Sequence, residues 1–255
     1  SAYADDQDLF VEELDPAKRE RYLFAEGSTP FTTRKSIIKV KDDQPQTVTL
    51  RWSVNGPVLP GGHYDLATVT PPNHVMALGW TGLSDKDTSM TAAIKLMQSK
   101  TVDDGVKAGA WQVAPAINVT MADELGVGMA LFGALPDRDA RHQSQGRMPA
   151  PGWIPENRWQ GMRPYESNPK FLRPIGGIVG STNNKIVDLP FPAHVSFDWG
   201  DSQRVQRWTK LMQEREVHTR ESFIAAQLDT NATDARNILP LIGADLWFTG
   251  EAAPE

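Results

Sequence analysis

The residues best suited to chemistry lie between Gly176 and Arg204. Asn183 and Asn184 stand at the exit of an apolar run, Ile178-Val179, which glycines flank like a short buried strand. An asparagine at a strand exit has two uses. It tolerates left-handed backbone and bonds its own main chain, which is turn chemistry. It is also an amide donor that can be aimed at a developing oxyanion. The residues alone favour the turn. Arg204 follows a proline-broken loop and sits just inside a helix start. A second cluster lies near residue 1, where Asp5, Asp6, Asp8 and Glu12 surround Leu9, Phe10, Val11 and Leu14. Asp5 and Asp8, with the carbonyl of Gln7 between them, offer hard oxygen ligands suited to calcium. The plainer reading is a solvated acidic edge, since carboxylates usually stay at the surface.

Other chemistries fail on composition or spacing. The chain has no cysteine, which excludes disulfides, thiolate zinc sites and thiol nucleophiles. His63, His74, His142, His194 and His218 form no H-x-x-x-H pair. There is no G-x-S-x-G elbow, and no phosphate-binding glycine pattern follows a strand. A net charge of -6 without a dense Lys/Arg run argues against nucleic-acid or membrane partners. No apolar stretch approaches the ~18 residues of a spanning helix. The chain starts without Met and almost at once in patterned sequence, which suggests a processed or truncated start.

These residues need elements to position them. The 255 residues, 40% hydrophobic and 23% charged, suffice for a sizeable core. Residues 1–133 are strand-rich. A strand is expected near Asp8–Leu14, then polar helix-to-loop sequence over 15–34. Ile37–Lys41 and Gln46–Trp52 form a hairpin pattern, and His74–Trp80 a further strand. Met90, Ala93, Ile94 and Met97 recur at helical spacing and are expected in the core. Thr101 is placed to cap the next helix. Ala116–Thr120 and Val127–Gly133 read as a second hairpin. Residues 134–175 form a long Pro- and Trp-rich wrap, in which recurrent arginines either stitch loops together or face an anionic ligand. In 176–255 a helix carries Val205, Trp208, Leu211 and Met212 on one face. Thr219 opens another, carrying Phe223, Gln227 and later Ile238 and Leu239, which Pro240 ends or kinks. Motif reading alone thus reaches a mixed α/β body with long loops.

Taken together, eleven segments in order resemble the penicillin acylase family of N-terminal-nucleophile hydrolases. They are Asp5–Glu12 (DDQDLFVE), Asn55–Val58 (NGPV, where the family usually has HGPV), Leu78–Trp80, Trp111–Asn118 (WQVAPAIN) and Ala122-Asp123 with Gly126. Gly133–Arg138 (GALPDR), Pro149–Gly152, Trp159–Gly161, Asn183-Asn184, Arg204 and Gln227 with Asp229 complete the series. The resemblance implies an α+β fold, part of an αββα sandwich with long peripheral loops. It implies an amide hydrolase of the periplasm whose nucleophile is the first residue of a β chain. There a side-chain oxygen attacks the amide carbonyl and the α-amine, with its near-neutral pKa, is the base. That nucleophile is not in this sequence. The expected partners are therefore the α chain and the N-terminal part of the β chain of the same precursor, with a small-molecule amide as substrate. The alternative is a non-catalytic binding or assembly module derived from such a hydrolase. By the same resemblance Asn183 is the oxyanion-hole donor, reversing the bland reading. Arg204 organises the nucleophile region, Ile117 belongs to an acyl pocket, and Ser1 contributes only a backbone N–H position. Asp5, the Gln7 carbonyl, Asp8 and the Gly146 carbonyl match calcium-ligand positions. One further ligand position falls near Ala193–His194, and another belongs to the absent α chain.

Overall fold

The computed structural model describes residues 2–25, 27–188 and 194–248, the last five of these for their backbone only. Its strands are β1 (Gln7–Glu13), β2 (Arg21–Phe24), β3 (Gly27–Pro30), β4 (Thr32–Ile38), β5 (Gln46–Ser53), β6 (Gly56–Pro57) and β7 (His74–Trp80). Then come β8 (Ile117–Asp123), β9 (Gly126–Phe132), β10 (Pro136–Arg138), β11 (Ala150–Pro151), β12 (Trp159–Met162) and β13 (Lys170–Leu172). The helices are α1 (Ser89–Gln98), α2 (Val102–Ala108), α3 (Gln203–Gln213), α4 (Arg220–Gln227) and α5 (Thr233–Phe248). The class is α+β, as the resemblance implied.

Strand β1 is central. It runs antiparallel to β7 along its whole length and parallel to β11 on the other side. Alternate side chains of a strand share a face. Here the covered face carries Asp8, Phe10 and Glu12, all buried. The acidic edge expected in solvent is therefore turned inward, where Arg138 and Trp159 cover Asp8 and Asn55 meets Glu12. The hairpin β8–β9 pairs in register from Ile117↔Phe132 to Asp123↔Gly126, and β13 adds to its far edge. Within the wrap, β10 pairs with β12. The 134–175 segment is thus anchored by short strands to the first half of the chain. Leu131, Leu135 and Val195 form a buried cluster, against which Ala2, Ile186 and Trp199 pack.

Four expectations change. Arg21–Phe24 and Gly27–Pro30 pair as the hairpin β2–β3 instead of helix or loop. Tyr22 is buried and stacks on Phe31 at 4.7 Å, an aromatic anchor that the polar surroundings hide. Gly176–Gly180 is not a strand, and Ile178 is 41% exposed; no strand pairs with it among the described residues. In α1 the stripe Met90, Ile94 and Met97 faces outward, and Ala92 is the buried position. Periodicity marked the apolar face correctly but not what covers it. Finally, α4 ends at Gln227, and α5 is a separate helix that runs through Pro240.

Helix caps follow the sequence. The Thr101 side chain accepts the Asp104 N–H at 3.1 Å. Thr219 and Ser222 form a reciprocal capping box at the start of α4.

Candidate functional site

Asn183 lies in the loop before α3, and Arg204 lies in the first turn of α3. The loop places Asn183 at φ 68, the left-handed region that asparagine enters more readily than most residues. Asn184 closes the same turn, its Oδ1 accepting the Thr182 N–H at 2.9 Å. Turn chemistry is therefore real here, and it coexists with the second use. An Arg204 guanidinium N–H donates to Asn183 Oδ1 at 2.8 Å. Arginine has donors only, so it dictates which end of the amide is oxygen. The Asn183 NH2 is thereby set as the donor end.

Backbone contacts hold this turn against α3. The Gly200 N–H donates to the Asn183 carbonyl at 2.9 Å. A side chain at Gly200 would meet that carbonyl oxygen at 2.5 Å, so only glycine permits the approach. The Asn183 N–H reaches Ser181 Oγ at 3.3 Å, and Asn118 Nδ2 donates to the same oxygen at 3.2 Å. Ser181 thus links the turn to β8 one residue beyond Ile117, which is half-buried at the head of that strand. Beside Arg204 a cavity of about 1020 Å³ opens, lined by Tyr3, Trp199, Arg207, Trp208, Phe223 and Asp229 among others. Arg207 forms a two-pronged pair with Asp229, Nε–Oδ1 2.9 Å and a terminal N–Oδ2 2.5 Å. Those bonds, followed by one from Asn231, hold the Asp229 carboxyl far below the usual range. The neighbouring arginine is thus satisfied by its own acid, while Arg204 serves Asn183.

Ser1 and Ala193 lie outside the described residues. Ile117 is not among the residues lining that cavity.

The calcium-ligand positions gather in space, with their carboxylates engaged by protein groups. Gln7 is exposed, its backbone paired with Trp80 in the β1–β7 ladder. Asp8 accepts from Arg138 at 2.8 and 3.0 Å and from Trp159 Nε1 at 2.6 Å. The Asp5 carboxylate faces His194 Nε2 at 2.5 Å, the Phe197 N–H at 3.0 Å and Ser196 Oγ at 3.2 Å. The Asp5 carbonyl accepts a further N–H of Arg138 at 2.7 Å. His142 is buried beside this group and receives the Ser144 and Gln145 N–H groups at Nδ1. Its Nε2 lies 3.7 Å from Asp8, and burial pushes its pKa down. Among the described residues no three His, Cys, Asp or Glu side chains are arranged to hold a metal ion.

One of the four N-terminal acids is enclosed more completely than the sequence implies. Glu12 is fully buried, and Asn55 Nδ2 donates to its Oε1 at 2.9 Å. Burial pushes the Glu12 pKa up, against smaller effects from Ser53, Asn55 and Arg158. Asn55, the departure from the usual His, thus gives this acid a neutral donor. The Asp5–Glu12 and Asn55–Val58 segments mark both residues without showing that they meet.

Comparison with known proteins agrees with this architecture. The family model described as penicillin amidase matches residues 1–254. Penicillin G acylase of Escherichia coli is 29% identical over 251 residues, covering 96% of this chain and 28% of that protein. Acyl-homoserine lactone acylase QuiP of Pseudomonas aeruginosa is 25% identical over 230 residues, covering 88% of this chain and 27% of that protein. The chain therefore spans little more than a quarter of the length of these relatives. A thermostable penicillin G acylase from Alcaligenes faecalis shares the fold, with a TM-score of 0.79 at 19% identity, over 99% of this chain and 44% of that one. A family match across nearly all 255 residues, joined to the same fold, places this chain in the penicillin amidase family.

Proposed function

We propose that this chain forms part of an amide hydrolase acting on linear N-acyl amides, and that it supplies the oxyanion donor. Attack on an amide carbonyl makes a tetrahedral centre whose oxygen becomes negative. A donor aimed at that oxygen in advance lowers the barrier, because it need not reorganise during the reaction. The observation that carries this reading is the bond from Arg204 to Asn183 Oδ1, which fixes the amide with its NH2 as donor. Arg204 serves as a positioning residue, and the half-buried Ile117 contributes to an acyl pocket. The nucleophile comes from a segment of the precursor outside these residues, and Ser1 is not that nucleophile. The α chain and the N-terminal part of the β chain complete the enzyme. The substrate class spans penicillin-type side chains and acyl-homoserine lactones, in keeping with the names of the relatives.

The test uses the complete processed protein with a panel of N-acyl amides differing in acyl chain. Asn183→Ala is expected to lower kcat by about 100- to 1000-fold with little change in KM. Unchanged turnover would remove Asn183 from the mechanism. The 255-residue chain alone is expected to be inactive on a chromogenic acyl amide. Turnover that disappears with Ser1→Ala would show instead that Ser1 is the nucleophile.

A further inference from the structure

The N-terminal acids hold an internal cation. The Asp5 N–H donates to the Val195 carbonyl at 2.8 Å, which sets Asp5 beside His194. Arg163 donates to the His194 carbonyl and fixes that residue from the other side. From the wrap, the Arg138 side chain reaches back to Asp8 and to the Asp5 carbonyl. All four carboxylate oxygens of Asp5 and Asp8 accept hydrogen bonds or face a ring nitrogen.

We infer that Arg138, seconded by His194, takes the place that a calcium ion would hold between Asp5, Asp8 and Gly146, so that this chain pins its first strand without a metal. Three observations carry this inference. First, the Arg138 and Asp8 side chains are only 4% and 3% exposed, so the guanidinium fills the space beside Asp8 that an ion would need. A divalent cation placed there would face a fixed positive charge at short range and low dielectric. Second, the loop closes on the ion pair. A Cβ at Gly146 would lie 2.5 Å from Asp8 Oδ1 and 2.9 Å from an Arg138 nitrogen, and the residue has φ +85. Third, at His194 an imidazole nitrogen, instead of an oxygen ligand, points at Asp5.

The decisive measurement is thermal unfolding of the wild-type protein in excess chelator and in millimolar calcium chloride, with metal content determined on the purified sample. A native-state site at about a hundredfold excess of calcium over its dissociation constant would raise the midpoint by several degrees. The expected result is coincident melts and no stoichiometric calcium. A calcium-dependent midpoint, or one bound ion per chain, overturns the inference. Arg138→Met tests the positive half. Removing one partner of a buried ion pair leaves the other charged and unpaired, so a midpoint lower by several degrees, or failure to fold, is expected. An Arg138→Met protein that melts like the wild type overturns the inference equally. Neither readout involves hydrolysis, so the outcome is separate from the fate of the amide hydrolase reading.

Discussion

Two influences act on Asn183, and they act on different atoms. The left-handed backbone turns the chain, while Arg204 orients the side-chain amide. Removing the second while keeping the first is therefore possible. Arg204→Ala is expected to lower kcat of the complete enzyme by less than Asn183→Ala, because the amide then loses its Arg204 contact but is still present. The double variant should be no worse than Asn183→Ala alone, as a double-mutant cycle would reveal. Strictly additive losses would show that Arg204 acts on substrate independently. Glu12 makes a different prediction. Its pKa is raised by burial, so the native state holds the proton more tightly than the unfolded chain. The stability it contributes is fully present below the ordinary value of 4.5 and fades as pH rises through the native pKa. Glu12→Gln should flatten that decline, seen as a smaller fall in denaturation midpoint from acid toward neutral pH. A decline of unchanged slope would mean that another group carries it; Asp6, raised by the same cause, is the nearest.

Elements were legible where their own residues decide them. The β4–β5 and β8–β9 hairpins follow from β-rich runs around short polar turns, and α2 and α4 follow from their threonine caps. Thr219→Ala should therefore cost about 1 kcal/mol, measured by chemical denaturation. A loss near zero would mean that α4 is held by packing alone. Gly200→Ala belongs to the same scale. It would push the Asn183 carbonyl away from the start of α3, so activity should fall much further than stability. What composition and spacing do not show is the element's surroundings. Hairpin β2–β3 hides its aromatic anchor in a polar stretch, and the outward stripe of α1 has no cover among the described residues. Gly176–Gly180 reads as a strand only if something pairs with it.

At the scale of the molecule, distance along the chain limits what the sequence can reveal. Asp8 and Arg138 are 130 residues apart, and no spacing rule connects them. The resemblance identified both segments but not the bond between them. Asn183 emerged as a donor only through that resemblance, since an asparagine pair before a loop is ordinarily a turn. Burial of Asp8 and Glu12 likewise depends on remote residues, Arg138 and Trp159 over Asp8 and Asn55 beside Glu12, which no local pattern announces.

The chain after Arg141 is laced to the chain before it at three places: β11 beside β1, β12 beside β10, and β13 beside β9. Continuity of the backbone between them is therefore dispensable once folding is complete. A single trypsin nick after the exposed Arg141 should yield two polypeptides on a denaturing gel that still elute as one particle under native conditions. Separate elution would mean that the covalent thread, and not the lacing, keeps the halves together.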